Sequence, residues 1–301
     1  MKPFLSLQKL AGLLLLGLSL AGQPLWAAGK LPVVASFSVL GDLVSQVGGS
    51  KVAVMTLVGP DQDAHIFQPA PKDAQAVGQA KVVFLNGLGF DGWMPRLLQA
   101  SGSKAKLITV SNGITAQTMQ EDGKQATDPH AWQDPVRVQQ YVRNIAKGLS
   151  DNDPANAAYY NKNAASYLMA LDQLQKWVSA EVGAIPASKR RVITSHDAFG
   201  YLAKRFGIRF LSPQGMNTEA EAAPKDVANL INQIKQEKIR AVFVENISNP
   251  KLLQQLSTEG GVSVSDRLFS DALSKTNGPA GTYLNMYRHN IAVLVAGMKK
   301  N

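Results

Sequence analysis

The sequence contains no cysteine and only four histidines, and aromatic residues make up 7% of it. Without thiols there can be no disulfide, no thiolate-bound metal and no lipid-modified cysteine at the start of a mature chain. Stability must then come from burial in a large core, and any metal site from imidazole and carboxylate. A basic stripe interleaved with aromatics, as nucleic-acid binding requires, is also missing. The one basic triplet, Lys189-Arg190-Arg191, stands ahead of an apolar stretch, where a solvated strand entry would put it. Beyond residue 28 no stretch approaches the roughly 18 continuous apolar residues of a membrane helix, which argues against stable membrane insertion.

What is present at the start is a leader. Residues 1–10 carry Lys2 and Lys9, residues 11–20 are almost wholly apolar, and Ala27-Ala28 supplies small residues for cleavage, so 1–28 reads as a secretory signal peptide. With the leader gone the formal charge of +9 loses Lys2 and Lys9 and becomes +7, dispersed along the chain. Export without cysteine points to a free protein in a bacterial periplasm.

At 301 residues the chain exceeds one ordinary core, so two lobes are expected. Apolar, β-rich stretches at 31–37, 52–58, 82–86 and 107–110 alternate with helical patterns at 39–47, 72–78 and 93–100. Alternation of this kind predicts a mainly parallel sheet with helices on both faces, and ligands bind such sheets at the carboxyl ends of the strands. Residues 114–127 are polar and aperiodic and read as a loop, followed by a helix over 135–149. A long helix then spans 153–182, with Asp153 as N-cap, Pro154 in its first turn, and Tyr160, Tyr167, Leu171, Leu174 and Val178 as one apolar stripe. The second half repeats the alternation, with strands at 192–194, 209–211, 241–244 and 262–264 and helices at 198–206, 224–238, 250–259 and 282–298. The division expected is a signal peptide over 1–28, an α/β lobe over 29–150, a linking helix over 151–186 and a second α/β lobe over 187–301.

The residues that could carry chemistry stand at strand ends. His65 lies in a polar loop directly after 52–58, His130 follows Asp128-Pro129, and His196 follows 192–194. A neutral imidazole can donate a lone pair to a borderline cation, but an isolated loop histidine is more often simply solvated. Asp197 suits a helix cap or a supporting partner better than a ligand. Asp271 reads equally as a ligand or a solvated turn carboxylate, Glu245 as a hydrogen-bonding support, and His289, off the apolar stripe of the last helix, as a surface residue.

Taken together, several ordered motifs resemble the metal-specific solute-binding proteins of ABC transporters that bind zinc or manganese. The matching stretches are GPDQDAHIFQPAPKD at 59–73, NGLGFDGWMPRLL at 86–98, DPHAWQDP at 128–135, DPANAAYY at 153–160, TSHDAFGY at 194–201, NTEAEAAPKD at 217–226 and TYLNMYRHN at 282–290. The resemblance covers essentially the whole chain after the leader. It implies two α/β lobes joined by one long helix, a metal held between them by His65, His130, His196 and Asp271, no enzymatic activity, and a membrane ABC permease as partner for a monomeric binding protein.

In that family, members resembling manganese carriers tend to have a carboxylate at the third position, where this chain has His196. Three imidazoles and one carboxylate suit zinc, whereas manganese prefers more oxygen, so Zn2+ is the expected cargo and Mn2+ the alternative. Two family features are missing: residues 114–127 contain no histidine, unlike the His-rich loop of many zinc members, and the cysteine pair of larger members is absent. A zinc hydrolase is the rival reading, opposed by a fourth protein ligand where a catalytic water would sit and by the lack of an HExxH pattern. The long helix should act as a stiff spine that limits the lobes to small rotations.

Overall fold

The structure, a computed structural model, describes residues 29–121, 123–216, 218, 223–248 and 250–301. The signal peptide expected over 1–28 lies outside the described residues. Among those described, no helix is long and apolar enough to cross a membrane.

The first half is a parallel sheet of β1 (Leu31–Phe37), β2 (Val52–Val58), β3 (Val82–Leu85) and β4 (Lys106–Thr109) in the order β2-β1-β3-β4. Helices α1 (Ser38–Gly48), α2 (Pro71–Gln79) and α3 (Met94–Ala100) connect these strands. A two-stranded ribbon, β5 (Gln117–Glu121) and β6 (Lys124–Asp128), leads to α4 (Pro135–Asn152) and then to the long helix α5 (Ala157–Gly183).

The second half is again parallel, with β7 (Arg191–Ile193), β8 (Arg209–Leu211), β9 (Val242–Glu245) and β10 (Val264–Leu268) in the order β10-β9-β7-β8. Helices α6 (Gly200–Phe206), α7 (Pro224–Glu237) and α8 (Pro250–Gly260) join its strands, and α9 (Tyr283–Met298) closes the chain.

The inner strands β1, β3, β7 and β9 are mostly apolar because both faces of each sheet are covered, while the edge strands β4 and β10 carry more polar residues. Neighbouring residues point to opposite faces. Val33, Val82, Val192 and Phe243 face the core that contains Leu171 and Leu174 of α5, Tyr141 of α4 and Leu294 of α9. Val34 and Val83 face an outer layer with Val77 of α2 and Leu97 of α3, while Ile193 and Val242 face Leu230 and Ile231 of α7. The central core is continuous from one half to the other. Helix α5 runs through it with Tyr160, Ala164, Tyr167, Leu171, Leu174, Val178 and Val182 buried, so the predicted stripe is a shared wall of both halves.

Several expectations need correction. Residues 114–127 are not simply a loop: Gln117 pairs antiparallel with Asp128 and Glu121 with Lys124, and Gly123 turns the chain at φ 72. The ribbon shows no apolar alternation because most of its residues are exposed or half-buried. Asp153 does not cap the long helix with its side chain. A 3-10 turn over Pro154–Asn156 precedes α5, and the Asp153 carboxylate instead accepts hydrogen bonds from Asn156 Nδ2 at 2.8 Å and Tyr160 Oη at 2.6 Å. Asp197 does not cap either, since α6 begins later, with Phe199 at its N-cap. The last strand falls at Val264–Leu268 rather than 262–264, because an edge strand tolerates the polar Ser265, Asp266 and Arg267 that disguise it.

Polar contacts stitch the halves together inside the molecule. Trp132 Nε1 and Gln133 Nε2 donate to the Ser270 carbonyl at 2.9 and 2.7 Å, while Tyr283 and Tyr287 of α9 donate to the Trp132 and Gln133 carbonyls at 2.8 Å each. Arg205 of α6 holds Asp134, the cap of α4, with its Nε and Nη2 donors.

Candidate metal centre

Three of the four predicted ligands follow strands of the two parallel sheets, beyond their carboxyl ends, and the fourth, His130, follows the antiparallel ribbon. His65 sits in the loop after β2, its N–H donated to Asp63 Oδ1 at 2.8 Å and its ring nearly perpendicular to Phe90 at 4.9 Å between centroids. His130 follows β6, and Asp128 Oδ1 accepts from its backbone N–H at 2.9 Å and lies 2.8 Å from its Nδ1. His196 follows β7, and its N–H donates to Glu245 Oε1 at 2.9 Å while its Nδ1 lies 2.6 Å from Glu245 Oε2.

Asp271 follows β10 in a segment held from every side. Asn290 of α9 bonds both the N–H and the carbonyl of Phe269, Ser38 accepts from the Leu273 N–H, and the Leu273 carbonyl accepts from Asp61. Asp271 is 0% exposed, so the solvated-turn alternative does not describe it.

These residues converge on one point. Asp271 Oδ2 is 3.2 Å from His65 Nε2 and 3.0 Å from His196 Nε2, and Asp271 Oδ1 is 3.8 Å from His130 Nε2. All four donor atoms lie within 4.8 Å of one another. Donors bound to a tetrahedral zinc at about 2.0–2.2 Å would be about 3.3 Å apart, so the cluster has the size of one small cation. Buried His130 Nε2 and Asp271 Oδ1 have no hydrogen-bond partner and point into this space.

Buried charges of opposite sign balance one another in the cluster. Burial opposes a charged His196, yet the carboxylates of Glu245 and Asp271, one at each ring nitrogen, hold its pKa well above the ordinary histidine value. Burial would likewise raise Asp271, but the imidazoles of His196 and His130 reverse that and hold its carboxyl far below the usual range. A cation among the Nε2 atoms would take the place of a proton in this balance. Carboxylates at Nδ1 of His130 and His196 fix the rings so that Nε2 faces the centre and make it a stronger donor.

Glu245 therefore supports His196, as expected. Asp128 does the same for His130; its position two residues ahead of the histidine was the available signal, and it was missed. Asp197 is half-buried and donates its N–H to the Gly215 carbonyl, outside the cluster. His289 is half-buried on α9, bonded through Nε2 to the Arg267 carbonyl at 2.9 Å, and is not part of the four-residue cluster.

The chain is similar to several known metal-binding proteins. The family model for ZnuA, the periplasmic zinc-uptake complex component A, matches residues 33–297. The manganese-binding lipoprotein MntA of Halalkalibacterium halodurans is 32% identical over 90% of this chain and 89% of its own length. The iron ABC transporter substrate-binding lipoprotein MtsA of Streptococcus pyogenes is 31% identical over 95% of each. Among solved structures, the periplasmic zinc-binding protein TroA of Treponema pallidum superposes with a TM-score of 0.85 at 28% identity, covering 90% of this chain and 99% of that one. Both lipoproteins carry that word in their names, whereas this sequence has no cysteine. Binding components of ABC importers work with a membrane permease and its ATPase and turn over no substrate themselves. The chain belongs to the zinc-uptake component A family of metal-binding ABC-transporter proteins.

Proposed function

We propose that the chain captures Zn2+ in the periplasm through His65, His130, His196 and Asp271 and delivers it to the permease of an ABC importer. The observation that carries this reading is the donor set: three Nε2 atoms and one carboxylate within 4.8 Å, all but His65 fully buried. Nitrogen-rich four-donor sites suit zinc, and with the protein filling four positions none is left for a catalytic water. On this reading residues 1–28 are removed on export, 29–150 and 187–301 are the two lobes, and 151–186 link them. The shared core and the buried bonds across the halves limit metal release to small rotations and loop movement.

One observation favours a second cargo. Asp271 turns both oxygens into the site, with Oδ1 unpartnered, so the carboxylate can bind through two atoms and bring in the extra oxygen that manganese or iron prefers. Relatives named for manganese and iron are consistent with it. Elemental analysis of protein purified from its own periplasm, followed by competition between equal concentrations of zinc and manganese, decides between them. Zinc is expected in both; full manganese occupancy in the presence of free zinc would overturn the choice.

A further inference from the structure

Both histidines from the first half lie close to one buried turn that the ligand set does not include. Asn86 stands directly after β3, fully buried, and every polar atom it has is used. Its side-chain Nδ2 donates to the Pro129 carbonyl and to the Gly87 carbonyl, each at 3.0 Å. Its Oδ1 accepts from Tyr141 Oη of α4 at 2.5 Å, its backbone N–H donates to Asp91 Oδ2 at 2.5 Å, and its carbonyl accepts from Ser111 at 3.3 Å. Asp91, 1% exposed, also accepts from the Gly87 N–H at 3.0 Å and so closes the turn.

The backbone inside the turn is left-handed at successive positions, with φ 82 at Gly87, 56 at Leu88 and 89 at Gly89. For leucine that conformation costs on the order of 1–2 kcal/mol and persists only where its surroundings impose it. What the turn achieves is the placement of Phe90. That ring lies 4.9 Å from the His65 ring, 4.7 Å from Trp132 and 6.3 Å from His130. The same cassette thus holds the carbonyl immediately before His130 and seats the ring that backs His65.

We infer that Asn86, oriented by Tyr141 and Asp91, is the positioning residue for the first-half donors, fixing His130 through the Pro129 carbonyl and His65 through Phe90. This rests on the zinc-site reading above. It goes further in assigning metal affinity and geometry to residues that touch no metal. Groups that orient a metal-binding ring commonly change affinity 10–100-fold when removed.

The test uses the full mature chain as Asn86→Ala, Tyr141→Phe, His130→Ala and Leu171→Ala, each titrated with Zn2+ against a chromophoric chelator. The same variants are loaded with Co2+ for visible ligand-field spectra and melted without metal. Asn86→Ala is expected to bind Zn2+ roughly 10–100-fold more weakly with an altered Co2+ spectrum, and Tyr141→Phe several-fold more weakly in the same direction. Leu171→Ala, a core change distant in role from the turn, should lower the melting temperature while leaving zinc affinity and the Co2+ spectrum unchanged.

Should Asn86→Ala fail to fold, Tyr141→Phe, which removes a single hydroxyl, carries the test alone. Wild-type affinity and spectrum in Tyr141→Phe and in any folded Asn86→Ala overturn the inference, as does an equal loss of affinity in Leu171→Ala. If His130→Ala itself binds like wild type, the ligand reading has failed, and the positioning role fails with it; loss in His130→Ala alone isolates the failure to Asn86.

Discussion

The two halves of this molecule share one sheet order yet present the four proposed metal donors in different ways. In each, the first strand pairs with the second on one side and with the third on the other, the fourth lying outermost. The second half places His196 and Asp271 shortly beyond β7 and β10, both 0% exposed, with Glu245 gripping His196 and Asn290 gripping the Asp271 segment. The first half brings His130 in only after the β5–β6 ribbon and His65 on a long loop with its side chain 8% exposed. The difference lies in what holds each donor: carboxylates of Glu245 and Asp128 sit at Nδ1 of His196 and His130, whereas Asp63 holds His65 through its backbone N–H. The first half supplies a more adjustable donor in His65, the second a prebuilt pair.

Ligand removal should break the comparison most sharply. A structural zinc site supplies roughly 10–16 kcal/mol, so one donor of four is worth about 2.5–4 kcal/mol, or about two to three powers of ten in Kd. His196→Ala is expected at the upper end and His65→Ala at the lower, because water reaches the His65 position. Chelator competition reads both, and the reverse order would make the first-half donor the rigid one.

In folding, by contrast, the halves should be inseparable. Leu171 is fully buried in the shared core, and Leu→Ala there costs about 2–5 kcal/mol. Leu171→Ala should shift one transition seen identically by tryptophan fluorescence and far-UV circular dichroism in the metal-free protein. Two resolved transitions would show that each half folds alone.

Glu245→Gln sharpens the claim about the far nitrogen. An amide N–H placed against His196 Nδ1 forces that nitrogen to accept and moves the ring proton to Nε2, where the metal must bind. Zinc affinity should fall about 10–100-fold without loss of the fold, and a smaller effect than that of Asp128→Asn would reverse the ranking of the halves.

The gentlest probe is pH. Because the His196 pKa is raised above 6.5, its pairing with Glu245 and Asp271 stabilises the metal-free protein fully below that value and is lost as pH climbs through the raised pKa. Asp271, whose pKa is lowered from 3.8, contributes above that value and loses its contribution as pH falls through the lowered one. Zinc has to displace the His196 proton, so its affinity should rise about tenfold per pH unit through the window above 6.5 and then level off. Denaturation and zinc titrations across that range test both slopes; a flat zinc affinity would place the proton elsewhere.

Much of the framework was legible. The strand at 31–37 is nearly all apolar because its faces are covered, and 52–58, an edge strand half-buried in its middle, keeps the same character apart from Thr56. The α5 stripe from Tyr160 to Val178 was readable for the same reason. The ribbon at 117–128 and the strand Val264–Leu268 were not, because their strand character comes from pairing at an exposed edge and leaves no apolar period. Asn86, at the end of the stretch 82–86, and Asp128, at the start of 128–135, do not show in the sequence what they touch; only their partners reveal that one anchors Pro129 and the other orients His130.

Composition and pattern alone determined that this protein could bind metal only through imidazole and carboxylate, and that it would build two parallel sheets around a long helix. Tertiary structure decided that His65 and Asp271, 206 positions apart, would meet at 3.2 Å, and that His130 and His196 would each have a carboxylate at the far nitrogen. The physical reason is that periodicity records only whether a residue is buried. Which distant residue it is buried against is set by the packing of whole elements, and a metal site consists of those meetings.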